Sequence, residues 1–120
     1  MEVITANKLE SFLFDEENGF LIKYHFGKGI DLELLENFYN ILENLKNTWE
    51  HKKEVPKDLV FQLITVSSSL YMDLSLYLDK EGYEDYPDIL YNLDTAISMC
   101  LNPNIEDVHF ETPLKDLGDI

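Results

Sequence analysis

The sequence predicts a mainly α fold of the α+β kind, a three-helix core with a small N-terminal β-hairpin. Three segments repeat apolar residues at helical spacing, and one short N-terminal segment alternates them with a period of two. A third observation bounds the size. The chain has 120 residues, 45% of them hydrophobic, with seven Phe and seven Tyr. That is enough for one core, so residues 1–120 are expected to form a single domain.

Near the N-terminus, Phe20, Ile22, Tyr24 and Phe26 alternate with Leu21, Lys23 and His25. This reads as a strand. Asn18-Gly19 is a turn signal, and Ser11–Phe14 supplies a returning strand, giving a hairpin around Asp15–Gly19. An isolated strand needs a partner, which favours this reading. The alternative is a short helix from Asn7, with Glu10 completing a capping box and Gly19 as its stop. Gly27 and Gly29 then link to the first long helix.

That helix is expected from Asp31 to Lys53. Asp31 is a suitable N-cap, Glu33 and Glu36 favour the positive first turn, and Lys46, Lys52 and Lys53 favour the negative end. Leu35, Phe38, Leu42, Leu45 and Trp49 make its stripe. The second helix should run from Pro56 to about Asp79, with Val60, Leu63, Ser67, Leu70, Leu74 and Tyr77 or Leu78 on one face. Val66, Tyr71 and Met72 add apolar surface outside that stripe, which predicts a central position for this helix. The third should run from Tyr86-Pro87 to just before Asn102-Pro103, burying Ile89, Leu90, Leu93, Ala96, Ile97 and Cys100. Beyond it, Val108 and Phe110 suggest a short strand, and residues 103–120 a weakly structured acidic tail.

Charge narrows the function. The chain carries 24 acidic residues and nine lysines, with no arginine, for a net charge of −15. Residues 61–120 alone hold 12 acids against two lysines, giving −10. Such a surface repels nucleic acid and anionic membrane and attracts a basic protein. No apolar run reaches the roughly 18 residues of a membrane span, and no secretory leader pattern is read. Cys100 is the only cysteine, so no intrachain disulfide forms, which suits a cytoplasmic location.

Candidate chemistry is sparse. His25, His51 and His109 share no metal-ligand spacing. Cys100 lies on an apolar face among acids, which suits a core residue rather than a nucleophile. Asp15, Glu16 and Glu17 precede Asn18-Gly19 but lack the order of a calcium loop, so a solvated turn is expected. The glycines of Gly27-Lys28-Gly29 are too few to cradle phosphate. Neither catalysis nor a cofactor nor a metal is expected.

The most informative local segment is DKEGYEDYPDILYNLD, residues 79–94. It sets Asp79, Glu81, Glu84, Asp85, Asp88 and Asp94 against one lysine, Lys80, and interleaves Tyr83, Tyr86 and Tyr91. Tyrosine supplies rigid contact area with a polar tip, and the carboxylates supply long-range attraction. The bland reading is a polar turn whose tyrosines roof the core. The partner site is expected at Tyr83, Glu84, Asp85, Tyr86, Asp88 and Tyr91, with Asp79 and Glu81 beside them. Tyr71, Asp73 and Tyr77 would extend it.

The segment EGYEDYPDIL is similar in character to the toxin-facing part of nuclease-colicin immunity proteins. The size and the hairpin-plus-helices pattern resemble immunity proteins of contact-dependent growth-inhibition systems. The resemblance implies a cytoplasmic protein that binds a cognate toxin domain, often a basic nuclease, and occludes its active site. The competing expectations are an acidic regulatory adaptor and a nucleic-acid-mimic inhibitor of some other basic protein.

A net charge of −15 makes self-repulsion a measurable part of stability. Raising ionic strength from about 0.01 M to about 0.15 M shortens the Debye length from about 30 Å to about 8 Å and should raise the melting temperature. A flat or falling melting temperature would mean that the charges are already dispersed or paired.

Overall fold

The computed structural model describes residues 3–102. They form α1 (Ala6–Phe14), α2 (Phe20–His25), α3 (Leu32–Trp49), α4 (Lys57–Asp73), a 3₁₀ turn at Leu74–Leu76, and α5 (Tyr86–Leu101). No β-strand occurs among the described residues, so the protein is a helical bundle and the expected hairpin is overturned. The proposed strand at Val108 and Phe110 and the acidic tail lie outside the described residues.

The N-terminal region is helical for local reasons. Thr5 caps α1, accepting the Lys8 N–H at 3.2 Å, so neither Asn7 nor a box with Glu10 starts it. Leu9 and Leu13, four residues apart, are buried. In α2 the buried residues are Phe20, Leu21 and Tyr24, a helical set. Leu21, which a strand would turn to water, is 4% exposed, while Phe26 is 69% exposed. Between the two helices, the Asp15 carboxylate accepts the Asn18 N–H at 2.8 Å and closes a tight solvated turn. Gly19 does not stop α1; it is the N-cap of α2.

The long helices form near where expected, with corrections; α3 ends at Trp49 instead of Lys53, which leaves Lys52 and Lys53 outside it. Asp31 caps α3, accepting the Leu34 N–H at 3.0 Å. The second helix ends at Asp73 instead of Asp79, giving way to the 3₁₀ turn. Its buried stripe is Leu59, Leu63, Val66 and Leu70, so Val66 belongs to the core and Val60 to its margin. The central helix is α5, with eight buried residues of sixteen against four of seventeen in α4. Of the expected core, Phe38, Leu42, Leu45, Leu63, Leu70, Leu93 and Ile97 are all buried, and Leu74 is half-buried.

α5 runs parallel to α3. Tyr86 meets Ile30 at one end, and Cys100 Sγ lies 3.2 Å from the Leu42 carbonyl at the other. α4 is the antiparallel crossover between them, joined to α5 by a hydrogen bond from Ser67 Oγ to Asp94. α1 and α2 cover α4: Gln62 donates to the Ala6 carbonyl at 3.1 Å, and the Tyr24 hydroxyl to the Leu70 carbonyl at 3.0 Å. Stacked Phe12, Phe20 and Phe38, with ring centroids 5.8–6.0 Å apart, fasten this pair to α3. Among the described helices, Lys57–Leu76 is long and apolar enough to cross a membrane, against the expectation that no such run exists. Here its Leu59, Leu63, Val66 and Leu70 belong to the core.

The α1–α2 turn tolerates no side chain at Gly19. Its φ of −63° suits any residue, but a Cβ would lie 2.5 Å from the Leu13 carbonyl oxygen and 2.6 Å from the Asp15 nitrogen. Both are backbone atoms and cannot swing aside. Gly19→Ala should therefore destabilise the fold by about 1–3 kcal/mol, read from the urea midpoint. An unchanged midpoint would show that the turn yields freely.

Candidate functional site: an acidic platform on a tyrosine cluster

Four tyrosines from separate parts of the chain meet at one end of the bundle. Tyr24 comes from α2, Tyr77 follows the 3₁₀ turn, Tyr83 lies in the loop, and Tyr86 opens α5. Tyr77 sits in the middle, with ring centroids 4.7 Å from Tyr24, 5.0 Å from Tyr83 and 5.1 Å from Tyr86. Tyr83 meets Tyr86 edge-on at 5.0 Å. Such pairs contribute about 0.5–1.5 kcal/mol each beyond their burial.

The hydroxyls organise backbone. Tyr77 Oη accepts the Gly29 N–H at 3.0 Å and donates to the Tyr24 carbonyl. Tyr86 Oη accepts the Ile30 N–H at 2.8 Å. Both bonds hold the link from α2 to α3. Gly29 has φ +84°, and a Cβ there would lie 2.8 Å from the Tyr86 hydroxyl, so glycine is required on both grounds. Burial raises the phenol pKa of Tyr24, Tyr77 and Tyr86, and charge on neighbouring tyrosines adds to it.

On this base the acidic loop faces water. Asp79, Glu81, Glu84, Asp85 and Asp88 are all exposed, with Lys80 the one cation among them. Glu84 bends back so that both carboxylate oxygens lie 3.1 Å from the Gly82 nitrogen. Backbone N–H groups of Glu84 itself and of Gly82 hold its carboxyl below the usual range. Asp85 precedes α5 as its N-cap residue, yet its side chain makes no capping bond and remains outward.

The structure divides the predicted site residues. Asp79, Glu81, Glu84, Asp85, Asp88 and Tyr91 are exposed, Tyr91 at 67%. Tyr83 is half-buried. Tyr86 and Tyr77 point into the core at 8% and 2% exposure. Asp94 is half-buried against Ser67, and Asp73 accepts from or pairs with His25 at 2.9 Å. A signal for Tyr86 was present in the sequence: it lies three, four and seven residues before Ile89, Leu90 and Leu93, on the buried stripe of α5. Tyr91 lies off that stripe.

Elsewhere, burial pushes the Cys100 thiol up to about 12, and the Glu43 carboxylate adds to the effect, so it stays protonated near neutrality. Among the described residues, no group of three His, Cys, Asp or Glu side chains is placed to hold a metal ion. Sequence reasoning missed an apolar face of α4, where Phe61, Ile64 and Met72 are 69%, 53% and 77% exposed. Its signal is the absence of any charge from Leu59 to Met72. No protein family, curated protein or solved structure matches this chain.

The buried tyrosines make stability sensitive to alkali. The unfolded chain releases their protons near pH 10, whereas the folded chain keeps them neutral to higher pH. Their stabilisation is complete below pH 10 and should decline as pH rises through the folded values. Tyr77→Phe removes the acceptor for the buried Gly29 N–H and should cost about 1–3 kcal/mol at neutral pH, with a shallower alkaline decline. Urea titrations at pH 7 and above pH 10 check both (a wild-type decline in Tyr77→Phe would remove Tyr77 from the account).

Proposed function

We propose that this protein is an immunity-type inhibitor, a binding protein that neutralises a basic partner, such as a nuclease toxin domain, by covering its active site. The observation that carries the reading is the acidic platform. Five exposed carboxylates within residues 79–88, with one lysine, stand on a loop fixed from beneath by Tyr77, Tyr83 and Tyr86. A braced loop loses little conformational freedom on association. Its field speeds encounter with a cationic surface. Exposed Tyr91, one and a half turns into α5, offers the aromatic contact area that protein interfaces favour. A cytoplasmic location follows from the same reading, since an immunity protein must meet the incoming toxin there. Five acids crowd into residues 79–88 instead of spacing along an extended face at phosphate-like intervals, so an inhibitor of a compact basic site fits better than a nucleic-acid mimic.

The test is neutralisation. The gene next to this one is expressed for toxicity, and co-expression of this chain should restore growth and yield a stable complex. In that complex, Asp85→Asn with Asp88→Asn should lower the association rate about tenfold at low salt and flatten its salt dependence. Tyr91→Ala should shorten the lifetime of the complex about thirtyfold, the effect of losing about 2 kcal/mol at a hot spot. Affinity within twofold of wild type for all these variants would place the interface elsewhere.

A further inference from the structure

Among the described residues, none covers the solvent side of α4. Leu59, Leu63, Val66 and Leu70 turn to the core. On the other side stand Phe61, Ile64, Ser68 and Met72, all exposed, at intervals of three and four residues. Tyr71 borders them at 44% exposure and lines the seam with α5 beside Leu90 and Asp94. Tyr91 continues the surface across that seam at 67% exposure. Fourteen consecutive residues, Leu59–Met72, carry no charge in a chain that is 28% charged. A surface-lying helix ordinarily turns a charged face to water. Here that face is apolar, and contiguous apolar surface rimmed by polar groups marks an interaction site.

The ends of the stripe differ in charge. At the C-terminal end of α4 the chain continues into the loop of Asp79, Glu81, Glu84, Asp85 and Asp88, with Lys80 the one lysine. At the N-terminal end, Lys52, Lys53 and Lys57 balance Glu50, Glu54 and Asp58. A fitting occupant therefore carries an apolar ridge along α4 and cations over the acidic end. A second copy of this chain fits poorly, since its net charge is −15. Ser68, small and exposed, separates Phe61 and Ile64 from Tyr71 and Met72 along the helix, and helix ridges pack between such bulky positions.

We infer that this face of α4, together with Tyr91, is the apolar centre of the partner interface and receives an amphipathic helix of the basic partner, with lysine or arginine flanking its apolar ridge. The inference rests on the binding reading above: the acidic loop serves as the rim, and α4 as the centre.

The probe is a synthetic 18-residue helix with Leu along one face and Lys on the other. Its control has the same composition scrambled so that no face forms. Fluorescence anisotropy should show the amphipathic peptide binding at least tenfold tighter than the scrambled one. Phe61→Ser with Met72→Ser should remove that advantage, while Phe26→Ser, at an equally exposed phenylalanine next to α2, should stay within twofold. Circular dichroism checks that each variant is folded; these positions are exposed, so the bundle should persist. Asp85→Asn with Asp88→Asn should weaken both peptides alike. Equal binding of the two peptides, or no effect of the α4 variant, overturns the inference; the acidic platform then stands alone if the Asp variant still weakens both. No effect of the Asp variant on either peptide overturns the platform reading and the cationic flank with it. Two further results would assign the stripe another occupant and overturn the inference: self-association in sedimentation, or adsorption to phosphatidylcholine vesicles, abolished in each case by the α4 variant.

Discussion

The hydroxyl of Tyr77 is the point on which the arrangement of this molecule depends. It accepts from Gly29 and donates to the Tyr24 carbonyl, so one side chain joins the end of α2 to the start of α3. Its ring is packed among Tyr24, Tyr83 and Tyr86. The parallel pairing of α3 and α5 requires their N-terminal ends to lie side by side. Tyr86 enforces this by bonding Ile30, and Tyr77 holds the adjoining glycine link in place. A buried N–H without a partner is expensive, so these hydroxyls are structural requirements of the link.

The same cluster settles how so acidic a chain keeps an ordered loop. Carboxylates at Asp79, Glu81, Glu84, Asp85 and Asp88 repel one another and would spread an unsupported segment. The tyrosine rings beneath, and the backbone bonds that Glu84 makes to Gly82, oppose that spreading. Charge and burial are thus separated by direction. No polar or charged residue is buried among those described, and the acids project from a floor of aromatic carbon. An acidic surface built this way stands on a packed aromatic base.

The long helices were legible because several independent signals coincide in them. Asp31 as N-cap, the stripe from Leu35 to Trp49, and the prolines around Tyr86–Leu101 all point one way, and the structure follows them. The first 30 residues failed for a physical reason. Seven residues such as Phe20–Phe26 hold apolar side chains at both two- and four-residue spacing, and only tertiary burial of Leu21 decides between them. The Thr5 cap was the unread local signal. In the acidic segment, composition located the surface but not the direction of each ring. Tyr86 follows the α5 stripe inward, Tyr91 departs from it, and Tyr83 lies between.

α4 shows why apolar content alone misleads. Its leucines and valines suggested the centre of the bundle, yet α5 holds that place. Apolar residues all round a helix mean either burial on every side or a face left for something else. α5 sits against both α3 and α4, while α1 and α2 reach α4 from another side; that still leaves Phe61, Ile64 and Met72 in water. Nothing in the described core needs these three side chains. Leu59–Met72 carries no carboxylate and residues 79–88 carry five, which keeps the two kinds of surface apart. The boundary between them lies where α4 passes into the acidic loop and Tyr71 meets Tyr91.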